Sequence, residues 1–176
     1  IFTGNIQARN DIDIVFDAHS IPIKKNSFSS ILNYSVIEHL EFPLKFLKEC
    51  KRVLTPSGKL FILIPFMYGE HDLVDYNRYT ELKVKKIFIE SGFRKYKIIR
   101  IGGTFTTINN LIINFVHNKF NNRTTWYIKG LGKYLLLIIT RVITLPLFLI
   151  SWPLFLLDKI VDSNSLNSTF FFVIAE

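Results

Sequence analysis

The chain has 176 residues, 49% hydrophobic and 20% charged, so there is ample material for one domain's core and disorder is excluded. Its 22 basic and 14 acidic residues give a net charge of +8, and the single Cys50 excludes a disulfide framework and a cysteine-rich zinc site. The chain opens on Ile1 with no basic stretch and apolar run behind it, which reads as no secretory signal and as a start inside something longer.

Taken in order, Ile12 to Phe16 is a short apolar run that predicts a buried strand, ending at Asp17-Ala18-His19-Ser20. Ser30 to Tyr34 predicts a second strand. Pro43 suits the first turn of a helix in which Phe46, Cys50 and Val53 share one face. Thr55-Pro56-Ser57-Gly58 is a turn signal that should stop it. Lys59 to Pro65 is continuously apolar, as in a strand covered on both faces. Thr80 is placed to cap a helix with Glu81 in its first turn, Tyr79 and Val84 as a hydrophobic staple, and Leu82, Ile87 and Ile89 on its apolar face. Gly92 should end it, and Tyr96 to Ile101 is the next strand. Ile108, Leu111, Ile112, Phe115 and Val116 then mark an amphipathic helix with Asn109, Asn110 and Asn114 opposite, and Thr169 to Ala175 closes the chain as a strand. Strand and helix alternate, which argues for an α/β fold with a largely parallel sheet.

Charge divides the chain. Between Arg94 and Leu157 there is no Asp or Glu, and nine Lys or Arg lie there, while the remainder is close to neutral. Within this basic part, Tyr134 to Leu157 runs for 24 residues with Arg141 as its only charge, and 16 of them are Leu, Ile, Val or Phe. At about 1.5 Å per residue such a helix covers a hydrocarbon core of roughly 30 Å. Pro146 and Pro153 would break the ladder of a buried core helix twice, so membrane contact is the favoured reading.

Asp17-Ala18-His19-Ser20-Ile21-Pro22, Tyr34-Ser35-Val36-Ile37-Glu38-His39-Leu40 and Arg52 to Leu60, three stretches of the near-neutral part, together resemble class I S-adenosylmethionine-dependent methyltransferases of the methyltransferase type 11 kind. Asp17-Ala18-His19-Ser20-Ile21-Pro22 is similar to the family's D-A-x-x-L-P-F after its third strand. Tyr34-Ser35-Val36-Ile37-Glu38-His39-Leu40 is similar to x-x-V-L-E-H-V after the fourth, and Arg52 to Leu60 to R-V-L-K-P-G-G-x-L entering the fifth. The resemblance implies a partial Rossmann-like sheet, strands 3 to 7 with the end of strand 2, flanked by helices and carrying an apolar helical insertion before the last strand. It divides the chain into a methyltransferase core (1–101), a basic hydrophobic insertion (102–167) and a returning strand (168–176). No Gly-rich loop precedes Asp17, so the chain reads either as a fragment lacking the N-terminal cofactor-binding portion or as a degenerate member.

The cofactor implied is S-adenosylmethionine. Asp17 matches the acid that accepts the adenine amino group, and the Ala18 N–H lies where a ring nitrogen is bound; the alternative is that Asp17 only caps a turn. Tyr34 and Ser35 would line the sulfonium, where an aromatic face and a carbonyl favour a cation, unless they merely pack. Asn5 stands nearest to the acid that holds the ribose hydroxyls, without the two charged acceptors of a carboxylate. Some relatives place a further Glu three residues before Glu38 to hold a metal; here that residue is Ser35, so no metal is expected, and His39 reads as a helix-entry hydrogen-bonding residue.

The acceptor loop would supply Tyr68, His71, Asp75, Tyr76 and Arg78. His71 is the candidate base, since an imidazole titrates near neutrality; against this, His71 is equally readable as a solvated loop residue and Asp75–Arg78 as a simple pair. If Thr169 to Ala175 rejoins the sheet, the insertion must dip into one leaflet and return, with Arg141, Lys129 and Lys133 reaching cytoplasmic headgroups. The expected protein is thus a methyltransferase at the cytoplasmic face of a membrane, monotopic rather than single-span, acting on a lipid-linked or amphiphilic acceptor of glycan-lipid or quinone type. A non-catalytic membrane-docked module is the alternative. Nucleic acid is not an expected partner, because the basic residues alternate with Leu and Ile rather than with exposed aromatics.

Overall fold

In the computed structural model residues 3–70, 74–117, 131–161 and 167–176 are described. They fall into two units. One comprises Ile1–Pro65, Val74–Ile99 and Phe171–Glu176, the other Phe66–Leu73 and Arg100–Phe170.

The first unit carries the sheets. β1 (Gly4–Asn5) pairs in parallel with β2 (Ile14–Val15). β3 (Phe28–Tyr34), β4 (Leu54–Pro65), β5 (Tyr96–Ile101) and β6 (Phe170–Ala175) form a four-stranded sheet in the order β3-β4-β6-β5, with β3 and β4 parallel. β6 runs against β5, because the Glu176 N–H meets the Lys95 carbonyl at one end and the Thr169 N–H meets Ile101 at the other. In a doubly wound sheet ordered 3-2-1-4-5-6, strands 2 and 3 are neighbours and so are 4 and 5, but 2 and 4 are not. The separation of the β1–β2 pair from the β3–β4 sheet has that spacing.

Local chemistry explains most elements. Pro43 opens α1 (Pro43–Val53), whose inner face buries Phe46, Leu47, Cys50 and Val53 against the sheet side. Burial pushes the Cys50 thiol far above its ordinary range. Thr80 caps α2 (Glu81–Glu90) by accepting the Lys83 N–H, and Gly92, at φ +93°, ends it. β4 is sealed over its second half, with Leu60, Ile62 and Ile64 at 0% exposure. β5 has the expected bounds.

Other expectations are corrected. The strand read over Ile12 to Phe16 shrinks to Ile14–Val15, since the Asp13 carboxylate turns back to the Thr3 N–H (2.8 Å) and hydroxyl (3.0 Å). β3 begins at Phe28, two residues early. The Thr55–Gly58 turn does not precede β4 but lies inside it: Phe28 pairs with Leu54 and Ser30 with Lys59, so the four residues bulge out of the ladder. A Cβ on Gly58 would sit 3.0 Å from two carbonyl oxygens, which explains the glycine. On α2, Leu82 and Ile89 are exposed and Phe88 is buried with Val84 and Ile87.

The second unit is helical. α3 (Thr104–His117) and α4 (Leu131–Val161) run antiparallel, for Asp158 reaches the start of α3 while Asn109 reaches Leu147 and Ser151. α4 stays continuous through Pro146 and Pro153. Each proline forfeits one backbone bond, a local loss that the remaining ladder tolerates. Of the apolar face expected on α3, only Val116 is buried, and Leu111 is exposed with the rest. Ile108, Ile112 and Phe115 are exposed, while Thr107 and Asn109 are buried.

Candidate functional site

Asp17 follows β2 and Ser35 follows β3, so both lie past the carboxyl ends of parallel strands, where open α/β sheets bind ligands. The Asp17 carboxylate turns the chain locally: Oδ1 accepts the His19 N–H (2.8 Å) and lies 2.7 Å from His19 Nδ1. The His19 N–H, foremost, holds the Asp17 carboxyl below its usual range. The Asp17 side chain remains 57% exposed. A carboxylate kept ionised and open to solvent is an acceptor for an incoming N–H donor.

The loop beyond Asp17 is tied to α1. The Ile21 N–H donates to Glu49 Oε2 (2.9 Å), and Arg52 donates to the carbonyls of Ile23 and Ile21 (both 2.7 Å) while pairing with Glu49. Hydrogen bonding to Arg52 lowers the Glu49 pKa. On the far side of the loop, the Phe42 N–H donates to His19 Nε2 (3.3 Å). Motif reading passed over Glu49, Arg52, Phe42 and His19 as site-shaping residues. The only sequence signal was the Asp-x-His spacing, which suits a side chain folding back on its own turn.

At the end of β3, Tyr34 is 72% exposed and Ser35 has φ +48°. A left-handed serine costs on the order of 1 kcal/mol, and such strain concentrates at functional positions. The Ser35 N–H still donates to Leu63 (3.2 Å), so the turn is anchored to β4 as it leaves the sheet. Asn5 sits in β1, and its side-chain oxygen accepts the Gln7 N–H (3.2 Å). Ala18 is half-buried between Asp17 and His19.

The segment after residue 73 is pinned to the short 3-10 turn Ile37–His39. Tyr76 and Asn77 donate their N–H groups to the Glu38 carbonyl (2.9 and 3.1 Å), and the Asn77 amide donates to Leu40 (2.9 Å). His39 Nδ1 meets the Val74 carbonyl, and the Tyr79 hydroxyl donates to Ile37 (3.2 Å). Burial, with the Glu38 charge second, pushes the Tyr79 hydroxyl well up. Asp75, nearly buried, takes both Arg78 guanidinium nitrogens. The pair stiffens the segment. Tyr76 is 59% exposed on this frame.

Tyr68 belongs to the other unit, where its ring lies 5.1 Å from that of Phe170. His71 lies outside the described residues. Among the described residues no cluster of three His, Cys, Asp or Glu could hold a metal ion.

Comparison with known proteins bears on this arrangement. Residues 4–62 match the family model described as "Methyltransferase domain". A ubiquinone biosynthesis O-methyltransferase of Parvibaculum lavamentivorans is 42% identical over 45 residues, which are 26% of this chain and 18% of that enzyme. The fold is shared with phosphoethanolamine N-methyltransferase 2 of Haemonchus contortus, crystallised with S-adenosyl-L-methionine (TM-score 0.51, 17% identity, 92% of this chain and 36% of that one). It is shared too with a SAM-dependent methyltransferase of Archaeoglobus fulgidus (TM-score 0.51, 14% identity, 93% and 67%). The chain thus spans less than a fifth of the length of the curated relative it matches. The stretch similar to the methyltransferase domain runs from β1 into β4, and the fold as a whole is one that S-adenosylmethionine-dependent methyltransferases share.

Proposed function

We propose that the protein transfers a methyl group from S-adenosylmethionine to a lipid-linked or amphiphilic acceptor at the cytoplasmic face of a membrane, with the helical unit lying in one leaflet. One observation carries the membrane half of this reading. In the α3–α4 pair most apolar side chains face outward, while Thr107, Asn109, Thr140 and Asp158 are buried. Only 6% of the apolar window within Ile138–Val161 is buried, and Phe148, Trp152 and Phe115 are 65–69% exposed. Water would reject such a surface, whereas hydrocarbon is its natural solvent. Asn109 and Asp158 find partners inside: Asn109 donates to Leu147 (3.0 Å) and Ser151 (2.8 Å), and the Asp158 carboxylate accepts the N–H groups of Gly103, Phe105 and Thr106 at 2.8–3.1 Å. Because α3 and α4 are antiparallel and Asp158 closes one end of the pair, the chain can enter and leave on one side without any break at the prolines. Lys159 stands over the Phe155 ring at 4.8 Å beside Trp152, a composition suited to a headgroup boundary.

The residues of the sheet unit fit the cofactor's two polar ends. Asp17 offers an ionised acceptor for an exocyclic amine, next to the Ala18 N–H, and the Tyr34 ring with the strained Ser35 turn forms the end where a cation would rest. When bound, S-adenosylmethionine supplies a methyl group already activated by its sulfonium, so the protein's task is chiefly alignment. The rigid 74–79 frame supports that role, and Tyr68, His71 and Tyr76 are the residues this reading assigns to the acceptor. His71 would take the proton if the acceptor is a hydroxyl. The short match to a ubiquinone-pathway O-methyltransferase favours a quinone-type acceptor over a glycan lipid.

A second reading, a membrane-docked module without activity, is favoured by Asn5, whose side-chain oxygen already caps Gln7 and carries no charge for ribose. The two separate in one assay. Full-length protein, radiolabelled S-adenosylmethionine and a total membrane extract should give label in the lipid phase, lost in Asp17→Ala. Absence of label together with normal vesicle binding would establish the inactive module instead.

A further inference from the structure

Asp17 and its surroundings contain a device that the motif does not specify. The His19 ring is held at both nitrogens. Nε2 receives the Phe42 N–H (3.3 Å), so it must present a lone pair. The proton of the neutral ring is therefore on Nδ1, and it is donated to Asp17 Oδ1 (2.7 Å). The backbone N–H of the same residue donates to that same oxygen (2.8 Å). Phe42 is the residue that caps α1, and its ring meets the His19 ring edge-on at 5.8 Å. The imidazole, 16% exposed, thus spans from the helix start to the carboxylate. Both donors from His19 converge on Oδ1, which leaves Oδ2 as the oxygen with no share in that turn.

We infer that His19 is a positioning residue for cofactor binding: tautomer-locked by the Phe42 amide, it fixes the Asp17 carboxylate on Oδ1 and so reserves Oδ2 for the exocyclic amine of a purine. The inference rests on the reading of Asp17 as the purine acceptor given above. A carboxylate free to rotate about its last bond offers its two oxygens in many directions, and binding must then bear the cost of ordering it. Here α1 bears it in advance. The Glu49–Arg52 pair does the same for the loop further on, through the carbonyls of Ile21 and Ile23. His19 acts on Asp17 and not on the ligand, so its removal should raise the Michaelis constant for the cofactor and spare turnover.

Two measurements on the full-length protein test this. Long-range proton–nitrogen correlation spectra should show the His19 ring protonated on Nδ1 alone near pH 8. Calorimetric titration with S-adenosylhomocysteine should show His19→Ala binding about tenfold more weakly, the size expected for losing one charge-assisted hydrogen bond. His19→Asn, whose side-chain amide reaches the place of Nδ1, should recover to within about threefold of the parent. A proton on Nε2, or His19→Ala binding as tightly as the parent, overturns the inference. Asp17→Ala separates the two levels. If it binds normally, the purine reading itself has failed; if it binds weakly while His19→Ala does not, only the positioning role has.

Discussion

The two units of this chain solve opposite problems with the same twenty residues. In the sheet unit, α1 and β4 bury Phe46, Leu47, Ile62 and Ile64 and leave Lys48, Arg52 and Lys59 outside. In the helical unit, α3 and α4 hide Thr107, Asn109, Thr140 and Asp158 and leave Ile108, Phe115, Phe148 and Trp152 outside. Amphipathicity is present in both, and only its direction differs. The difference teaches that a periodic pattern specifies a face, whereas the surrounding solvent decides which way the face turns.

The largest effect is expected where that contrast is most exposed. Replacing Phe115, Phe148 and Trp152 together by Ser removes three large outward side chains. Binding to anionic vesicles should fall by at least two orders of magnitude, at about 1.5–3 kcal/mol per residue, while the sheet unit melts unchanged. Coflotation with vesicles reads the first and circular dichroism the second. If vesicle binding stays unchanged, the outward face has another function and the contrast dissolves.

Next comes the clasp of the helical unit. A Cβ on Gly103 would lie 2.7–2.8 Å from the Asp158 carboxyl group. Gly103→Ala should therefore push Asp158 off the start of α3 and leave its three N–H groups without their charged partner, a loss of about 1–3 kcal/mol. Hydrogen exchange in detergent would detect it as faster exchange at Phe105 and Thr106, with the amides of β4 unaffected.

The sheet unit is sharpened by Ser35. A β-branched residue tolerates its φ of +48° poorly, so Ser35→Val should cost about 1–2 kcal/mol, and Ser35→Gly should leave stability equal or slightly higher. Urea denaturation of the pair resolves the order. Equal stability of all three forms would remove the strain argument for this turn.

The smallest effect is one of pH. Arg52 depresses the Glu49 carboxyl, so the stability it contributes is fully present above the ordinary carboxylate range and is lost as pH falls through the lowered value. Because Arg52 is 38% exposed, screening keeps the contribution below about 1 kcal/mol. Glu49→Gln should abolish that part of the acid dependence between about pH 5 and 3, losing up to about 1 kcal/mol at pH 7 and converging with the parent at low pH, as measured by denaturant midpoints across the range.

How far these features could be read from sequence follows from their locality. Pro43, Thr80 and Gly92 act within a turn of themselves, and all three mark helix ends where the sequence says they should. The Thr55–Gly58 signal is genuine, but whether a turn ends a strand or bulges within it depends on the partner, Phe28, far away in sequence. Leu82 and Ile89 look like core beside Ile87 because three residues cannot define a helical stripe against a sheet not yet in view. Asp17 and Ser35 are legible through their motifs and their place after apolar runs. His19 is not, since its second partner, Phe42, is 23 residues on and contributes only a backbone amide. No side-chain pattern encodes an amide.

Cys50 offers a consequence of another kind. It is the only thiol in the chain, fully enclosed under α1, and held protonated by its surroundings. A modifying reagent can reach it only during excursions in which α1 lifts from its seat, so the rate of its alkylation counts those excursions directly. The protein thereby carries a single-site clock for the motion of the very helix that steadies Asp17, Ile21 and Ile23. A ligand that clamps the loop should slow that clock, with no label needed beyond the one nature placed there.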